Sequence, residues 1–408
     1  MCLFHFTHLL LFLIVTHGHP GHACQTSHDC SLLGTCTPEH NVCRCDSGWI
    51  GVSCGRANLL PLNITHGYQN KNEASWGGRP VHVKGKWHLF STEITQSCPL
   101  ILFMNNSQVV RSVSSIPEGP YIRQEVALLP FHHNPQIIGP TPDGYYLLFT
   151  IGTTNTDDAL QIDCRSGVPS QCTQRKNKYC RGTHMPNSNG RINLAWSQTV
   201  TGPWFSKIIL PFNASGNSTD WNCENNNPTA TILRNGTILM VYRANSCKQS
   251  SGGGAGAGGE ALGVAVASHW NGTYHRRSHP LITPANDTGY HEDPFLWQDH
   301  RGSFHLLTHN QNTHNRCGSK VAGSSCGAHL FSMDSYTWTV GIDAVYDASV
   351  TLVNGTTTNY QTRQRPQIIF NKDMEPTHLF NGGGFEGPNQ DCEQKTHTYV
   401  QAFVGGRR

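Results

Sequence analysis

His291-Glu292-Asp293-Pro294-Phe295-Leu296-Trp297 is an apolar run that opens on a proline, and after a turn at Arg301-Gly302 it is answered by Phe304-His305-Leu306-Leu307. Proline at the start of a strand costs no ladder hydrogen bond, so the pair predicts a β-hairpin. The same phrase returns four times. Arg79-Pro80-Val81-His82-Val83 is followed by Trp87-His88-Leu89-Phe90, and Asn134-Pro135-Gln136-Ile137-Ile138 by Tyr145-Tyr146-Leu147-Leu148-Phe149. Asn227-Pro228-Thr229-Ala230-Thr231-Ile232 is followed by Thr237-Ile238-Leu239-Met240-Val241-Tyr242, and Arg365-Pro366-Gln367-Ile368-Ile369 by Thr377-His378-Leu379-Phe380. Repetition at this interval marks an array of supersecondary units. Further hairpins between copies (Ala195 to Trp204, Gly263 to Tyr274, His329 to Trp338) bring each unit to four strands. The reading is all-β: a five-bladed β-propeller around a channel, with Thr398–Phe403 closing the ring. A β-sandwich is the alternative that short strands alone would allow.

Composition agrees. Of 408 residues 37% are hydrophobic and only 13% charged, with 41 Gly and 22 Pro. The charged fraction is about half the globular average, which excludes a coiled coil or a disordered chain. A net charge of +3, dispersed along the chain, predicts no nucleic-acid partner.

The run Leu9-Leu10-Leu11-Phe12-Leu13-Ile14-Val15 is too short to span a bilayer, and residues 1–23 are read as a secretory signal peptide. No later stretch predicts a transmembrane anchor. Asn-x-Ser/Thr acceptors at Asn63, Asn105, Asn213, Asn217, Asn235, Asn271, Asn286 and Asn354 point to the same route, a secreted extracellular glycoprotein.

Six cysteines crowd between Cys24 and Cys54, ending Cys45-Asp46-Ser47-Gly48-Trp49-Ile50-Gly51-Val52-Ser53-Cys54. This Cys-x-x-Gly-aromatic-x-Gly-x-x-Cys ending resembles an EGF-like module, placed at 24–54, with a linker at 55–75 and the propeller at 76–404. The resemblance implies bridges Cys24–Cys36, Cys30–Cys43 and Cys45–Cys54, which spacing alone would leave open. Gly21-His22-Ala23 supply no acidic ligands before the first cysteine, so no calcium is expected in the module. Its expected role is a spacer or a protein contact. Outside it an odd number of cysteines remain once Cys2 leaves with the signal, so one thiol is free or paired between chains. A loop closed between Cys164 and Cys180 is expected, with further pairs Cys223–Cys247 and Cys317–Cys326.

The residue-Pro openings and the Thr201-Gly202-Pro203-Trp204 phrase resemble the five-bladed propellers of glycoside hydrolase family 43. That resemblance implies channel-facing residues at or just before each proline: Arg79, Asn134 with His132 and His133, Asn227, Glu292 and Asp293 with His291, and Arg365. Inverting glycosidases need one protonated and one ionised carboxyl group. By resemblance, Glu292 takes the acid position, whereas Asn227 and Arg79 replace an auxiliary Asp and the Asp base. Arg stays protonated and is no base, so Asp293, or Glu73 from the preceding loop, is the expected substitute. Glu386, in a loop after the fifth repeat, is assigned at most to the rim.

Arg79 and Arg365 at the channel mouth predict an anionic glycan, bound with His133, Asn134, Asn227 and His291; pairing with Glu292 or Asp293 is the structural alternative. Trp76, Trp221 and Trp297 are candidates for stacking on sugar rings or for packing between blades. The 24 His show no metal-ligand spacing, so no metal or other cofactor is expected, channel calcium being the one ion the resemblance leaves open. The function expected is a secreted, glycoside-hydrolase-like propeller that binds and hydrolyses extracellular carbohydrate. The alternative is a noncatalytic interaction or matrix protein built from the two modules.

Overall fold

The computed structural model describes residues 23–37, 39–152, 161–167, 190–212, 221–245, 261–282, 291–310, 326–385 and 396–405. Four short strands come first, β1 (Gly34–Thr37), β2 (Val42–Cys45), β3 (Trp49–Ile50) and β4 (Arg56–Ala57), paired β1 with β2 and β3 with β4. Disulfides Cys24–Cys36, Cys30–Cys43 and Cys45–Cys54 tie them together, the pairing that the EGF-like resemblance implies. So short a segment has little core of its own, and the bridges supply its rigidity.

Five four-stranded antiparallel sheets follow, as a propeller and not a sandwich. Blade one is β5 (Ala74–Val83), β6 (Lys86–Ile94), β7 (Ser107–Ser114) and β8 (Ile122–Leu128). Blade two is β9 (His132–Ile138), β10 (Tyr146–Gly152), β11 (Ile192–Ser197) and β12 (Phe205–Leu210). Blade three is β13 (Glu224–Ile232), β14 (Ile238–Asn245), β15 (Ala261–Ala267) and β16 (His275–Arg276). Blade four is β17 (His291–Gln298), β18 (Phe304–Asn310), β19 (Cys326–Ser332) and β20 (Thr339–Ala344). Blade five is β21 (Ser349–Thr351), β22 (Thr357–Phe370), β23 (Pro376–Phe385) and β24 (His397–Ala402).

The alternating apolar residues of each sheet meet those of its neighbour, so the core is divided among the seams between blades. Leu147, Phe149, Met240 and Tyr242 fill the seam of blades two and three, and Leu239, Val241, Leu296 and Leu306 that of three and four.

Ring closure uses both ends of the described chain. β24 pairs with β23 on one side; on the other, Leu60 N donates to Ala402 O at 2.8 Å and Tyr68 N to Thr398 O at 2.8 Å. Residues 59–68, within the stretch read as a linker, thus pair with both ends of the outer strand of blade five and shield that edge.

The disulfide-rich segment packs against blades four and five. Trp49, 4% exposed, stacks parallel to Trp297 at 6.5 Å and also meets His329 and Phe403. Arg301 reaches across to Asp46 Oδ2 and Leu32 O, both at 2.6 Å. Trp297 is therefore a packing residue here, as is Trp221, whose indole donates to Ser278 O at 3.3 Å.

Between β6 and β7 the chain makes a short helical insertion, a 3-10 turn at Leu100–Leu102 and an α turn at Phe103–Asn106. A disulfide joins Cys98, just before it, to Cys164. This corrects the expected Cys164–Cys180 loop: Cys164 serves the insertion. Cys223 and Cys326 are disulfide-bonded too; their expected partners Cys247 and Cys317, like the signal peptide and Glu386, lie outside the described residues. Among those residues no helix is long and apolar enough to cross a membrane.

Candidate functional site

Each inner strand carries a bulge at which its register with the next strand shifts. In blades two to five the bulge falls on Asn134-Pro135, Asn227-Pro228, Asp293-Pro294 and Arg365-Pro366. The residue before each proline has a left-handed backbone, with φ of 52°, 49°, 54° and 50°. A bulge breaks the ladder and re-aims the side chain that sits on it. Asn and Asp tolerate this conformation best, so three of the four positions are chemically natural.

Blade one departs from the others. Its bulge lies between the pairs Trp76↔Thr92 and Arg79↔Phe90, on Gly77 and Gly78, with φ of 56° and 107°. The counterpart of Asn134, Asn227, Asp293 and Arg365 is therefore Gly77. Arg79, aligned there by its following proline, instead matches Gln136, Thr229, Phe295 and Gln367. That next layer cross-links the blades. The Gln136 side chain bonds both backbone groups of Ala230, Thr229 Oγ1 accepts from Leu296 N at 2.9 Å, and Gln367 Nε2 donates to Pro135 O at 3.2 Å. Arg79 places its guanidinium 5.5 Å from the centre of the Phe295 ring, and burial lowers its pKa to about 10, which keeps it a cation.

What fills the space at Gly77 is Arg365. A Cβ added to Gly77 would lie 2.5 Å from Arg365 Cγ. From there the guanidinium donates to Asn134 O at 2.7 Å and Pro228 O at 3.1 Å, and stands 3.6 Å from Asp293 Oδ1. One side chain from blade five, 1% exposed, thus touches all four other blades. A channel calcium does not fit this centre, because the fixed positive charge of the Arg365 guanidinium stands there, bonded to Asn134 O and Pro228 O and beside Asp293.

Above this floor lies a cavity of about 330 Å³. Its polar lining comes from His133 and Asn134 of blade two, Glu224, Asn226, Asn227, Arg243 and Asn245 of blade three, Glu292 and Asp293 of blade four, and Thr362 and Gln364 of blade five. Its apolar lining is Trp76, Ile151 and the insertion residues Leu100, Ile101, Phe103 and Met104.

The charges are paired. Arg243 Nη1 lies 2.5 Å from Glu292 Oε1, which also accepts from Asn227 Nδ2 at 3.2 Å. His309 bridges the two acids, Nε2 to Glu292 Oε2 at 3.3 Å and Nδ1 to Asp293 Oδ2 at 3.1 Å. Burial alone would push Glu292 up; Arg243 and His309 outweigh it and hold the carboxyl well below its ordinary range. His309 moves the other way: burial lowers it, but the two carboxylates raise it to about 9. Asp293 Oδ1 also accepts from Asn134 Nδ2 at 3.3 Å. His133, lowered by burial to about 3, stays neutral, with Nδ1 2.8 Å from Ser107 Oγ and its ring 4.6 Å from that of Phe103.

The structure thus gathers six of the residues singled out in sequence, Trp76, Glu292, Asp293, His133, Asn134 and Asn227, around one cavity. It does not bring Arg79, Arg365 or His291 to the described lining; His291 is buried, Nδ1 at 2.7 Å from Thr308 Oγ1. Glu73 accepts from Ser97 N at 2.7 Å and is likewise not on that lining. Residues missed in sequence are Ile151, Glu224, Asn226, Arg243, Asn245, Thr362, Gln364 and the insertion. Arg243 was legible as a charge ending the apolar run Ile238–Tyr242; the insertion carries no such mark.

No protein-family model matches the chain, and no curated protein matches it in sequence. Solved structures do. A family 117 glycoside hydrolase of the marine bacterium Zobellia galactanivorans aligns with a TM-score of 0.54 at 11% identity, over 88% of this chain and 91% of its own. An α-L-arabinofuranosidase from Podospora anserina, in complex with cellotriose, gives 0.53 at 10% identity, over 85% and 95%. The catalytic domain of a GH62 α-L-arabinofuranosidase from Coprinopsis cinerea gives 0.52 at 10% identity, over 88% and 98%. Identity this low speaks for fold alone: the chain shares the five-bladed propeller of these glycoside hydrolases.

Proposed function

We propose that this chain is an extracellular carbohydrate-binding propeller, with the saccharide seated in the cavity above Arg365 and no hydrolysis by the inverting route. The observation that carries the second part is Gly77. At the position where the resemblance implies the catalytic base there is no side chain, and Arg365 Cγ occupies the space a Cβ would need. The other half of the pair is compromised as well. A general acid must hold a proton near neutral pH, whereas Glu292 is held ionised between Arg243 and His309. Asp293, 3% exposed and bound to His309, Asn134 and Arg365, is too enclosed to activate water.

Binding is supported by what remains. A concave site walled by aromatic and aliphatic side chains and furnished with several amides suits a polyhydroxylated ring. The ligand is read as neutral: Arg79 is away from the cavity, Arg365 is sealed under it, and Arg243 is committed to Glu292. Disulfides, the apolar leader and the acceptor asparagines support an oxidising, extracellular setting.

The test is glycan-array binding by the secreted chain, run beside release of reducing ends from neutral and acidic polysaccharides. Retention of neutral glycans without release is expected. Release that Glu292→Gln abolishes would overturn the noncatalytic reading, and no glycan retained at all would overturn carbohydrate binding.

A further inference from the structure

The apolar part of the cavity is the feature that sugar binding alone does not explain. Leu100, Ile101, Phe103 and Met104 all line the cavity and are all only partly buried, although they belong to a seven-residue insertion at the surface. Sugar rings are commonly met by one flat aromatic face; an additional cluster of aliphatic side chains left partly wet is costly unless an apolar group covers it.

The wall is also held in place. The disulfide Cys98–Cys164 anchors its start. Asn106 fixes its end, Nδ2 donating to Thr95 O at 3.1 Å and Ile162 O at 2.8 Å while Oδ1 accepts from Ile162 N at 3.2 Å. Phe103 is further stacked on the neutral His133. A surface so constrained does not collapse onto itself to hide its apolar side chains; it is preorganised for a ligand.

The polar lining shows the complementary need. Asn134 and Asn245, 4% and 8% exposed, each keep a buried side-chain carbonyl oxygen that accepts no hydrogen bond among the described residues. Their amide nitrogens are already used, Asn134 Nδ2 on Asn227 Oδ1 at 2.8 Å and Asn245 Nδ2 on Glu224 Oε2 at 3.0 Å. What these oxygens lack is a donor, and hydroxyl groups supply one.

Resting on the carbohydrate-binding reading above, we propose that the ligand is a sugar residue bearing a methyl or acyl group, as in a 6-deoxy, O-methylated or N-acetylated unit. The substituent lies on the wall of Leu100, Ile101, Phe103 and Met104, and ring hydroxyls donate to Asn134 and Asn245.

Matched pairs test this on the full secreted chain: methyl L-fucoside against methyl L-galactoside, 3-O-methylglucose against glucose, and N-acetylgalactosamine against galactose. Affinities come from titration and contact maps from saturation-transfer NMR. In at least one pair the substituted member binds about tenfold more tightly, with its methyl protons receiving the strongest saturation. Ile101→Ser and Met104→Ser bring that ratio towards one. The saturation map on the unmodified chain needs no variant and decides the matter if either fails to fold. Equal affinity within every pair, or saturation confined to ring protons, overturns the inference while leaving carbohydrate binding intact. Failure of every sugar to bind overturns both.

Discussion

Blades one and four occupy equivalent places in the ring and do opposite things there. In blade four the bulge delivers Glu292 and Asp293 to the cavity; in blade one it delivers Trp76 and an empty glycine. The comparison shows that the chemistry of a blade is set by where its ladder slips, and not by where its proline stands. Gly77 is glycine because of a neighbour from another blade, since Arg365 Cγ lies 2.5 Å from where its Cβ would be. Where the glycoside-hydrolase resemblance implies a carboxylate in blade one, a guanidinium from blade five fills the space. On the function proposed above, the centre of the molecule serves construction.

Removing the guanidinium is the hardest test of that view. Arg365→Ala leaves the carbonyls of Asn134 and Pro228 without their donor and takes a cation from the buried Asp293. Breaking a buried charge pair on one side costs about 3–5 kcal/mol, so a large drop in the urea midpoint is expected. An unchanged midpoint would mean that Arg365 merely fills space.

Gly77→Ala sharpens the point. In the natural chain the added methyl collides with Arg365, and overpacking of this kind costs about 1–3 kcal/mol. In an Arg365→Ala background the 2.5 Å contact with Cγ is gone and only Cβ remains, at 3.1 Å, so much of the penalty should vanish, a coupling that a double-mutant cycle measures. Additive effects would show that the glycine answers only to its backbone, with φ of 56°.

The buried histidines of blades two, four and five predict a pH optimum. Burial lowers His132 to about 4, His133 to about 3 and His397 to about 4, below the 6.5 of an unfolded histidine. Below pH 6.5 the unfolded chain takes up protons that the fold refuses, so each lowered histidine costs about 1.4 kcal/mol per pH unit on the acid side. His309, raised to about 9 by Asp293 and Glu292 against the burial that lowers it, acts in the opposite sense. Its contribution is complete below pH 6.5 and is lost as pH rises through 9. Melting temperature followed across this range should fall on both sides of neutrality. His133→Gln should flatten the acid limb and His309→Gln the alkaline one. A limb unmoved by its own substitution would remove that histidine from the account.

How much of this was legible in sequence follows from the same slip of register. The five hairpins, and with them the propeller, could be read because strand, turn and strand are local patterns. Glu292, Asp293, His133, Asn134 and Asn227 could be found because in blades two to four the bulge coincides with the proline. Blade one uses Gly77-Gly78 for its bulge and carries Pro80 beyond it, so the alignment fell on Arg79; nothing local distinguishes a bulge glycine from a turn glycine. Arg365 stood at the correct position, yet its enclosure depends on groups from four other blades. Arg243 and Asn245 lie on a second strand, and the apolar wall comes from an insertion whose position is fixed by a disulfide with Cys164, far along the chain.

The smallest effect expected concerns the same insertion. Asn105-Asn106-Ser107 is an acceptor sequence, but Asn105 is 9% exposed, Asn106 is bonded to Thr95 and Ile162, and Ser107 Oγ contacts His133. Asn235, Asn271 and Asn354 are exposed and Asn63 partly so; the Asn63 and Asn354 side chains fold back to accept from the backbone of Thr65 and Thr356. Peptide mapping of the chain expressed through a secretory pathway should find glycans at these four sites and none at Asn105, and Asn105→Gln should leave the mass of the product nearly unchanged. A glycan on Asn105 would require Phe103–Asn106 to leave its seat between Thr95 and His133. Blade one would then contribute no fixed wall to the cavity, and its contrast with blade four would rest on Gly77 alone.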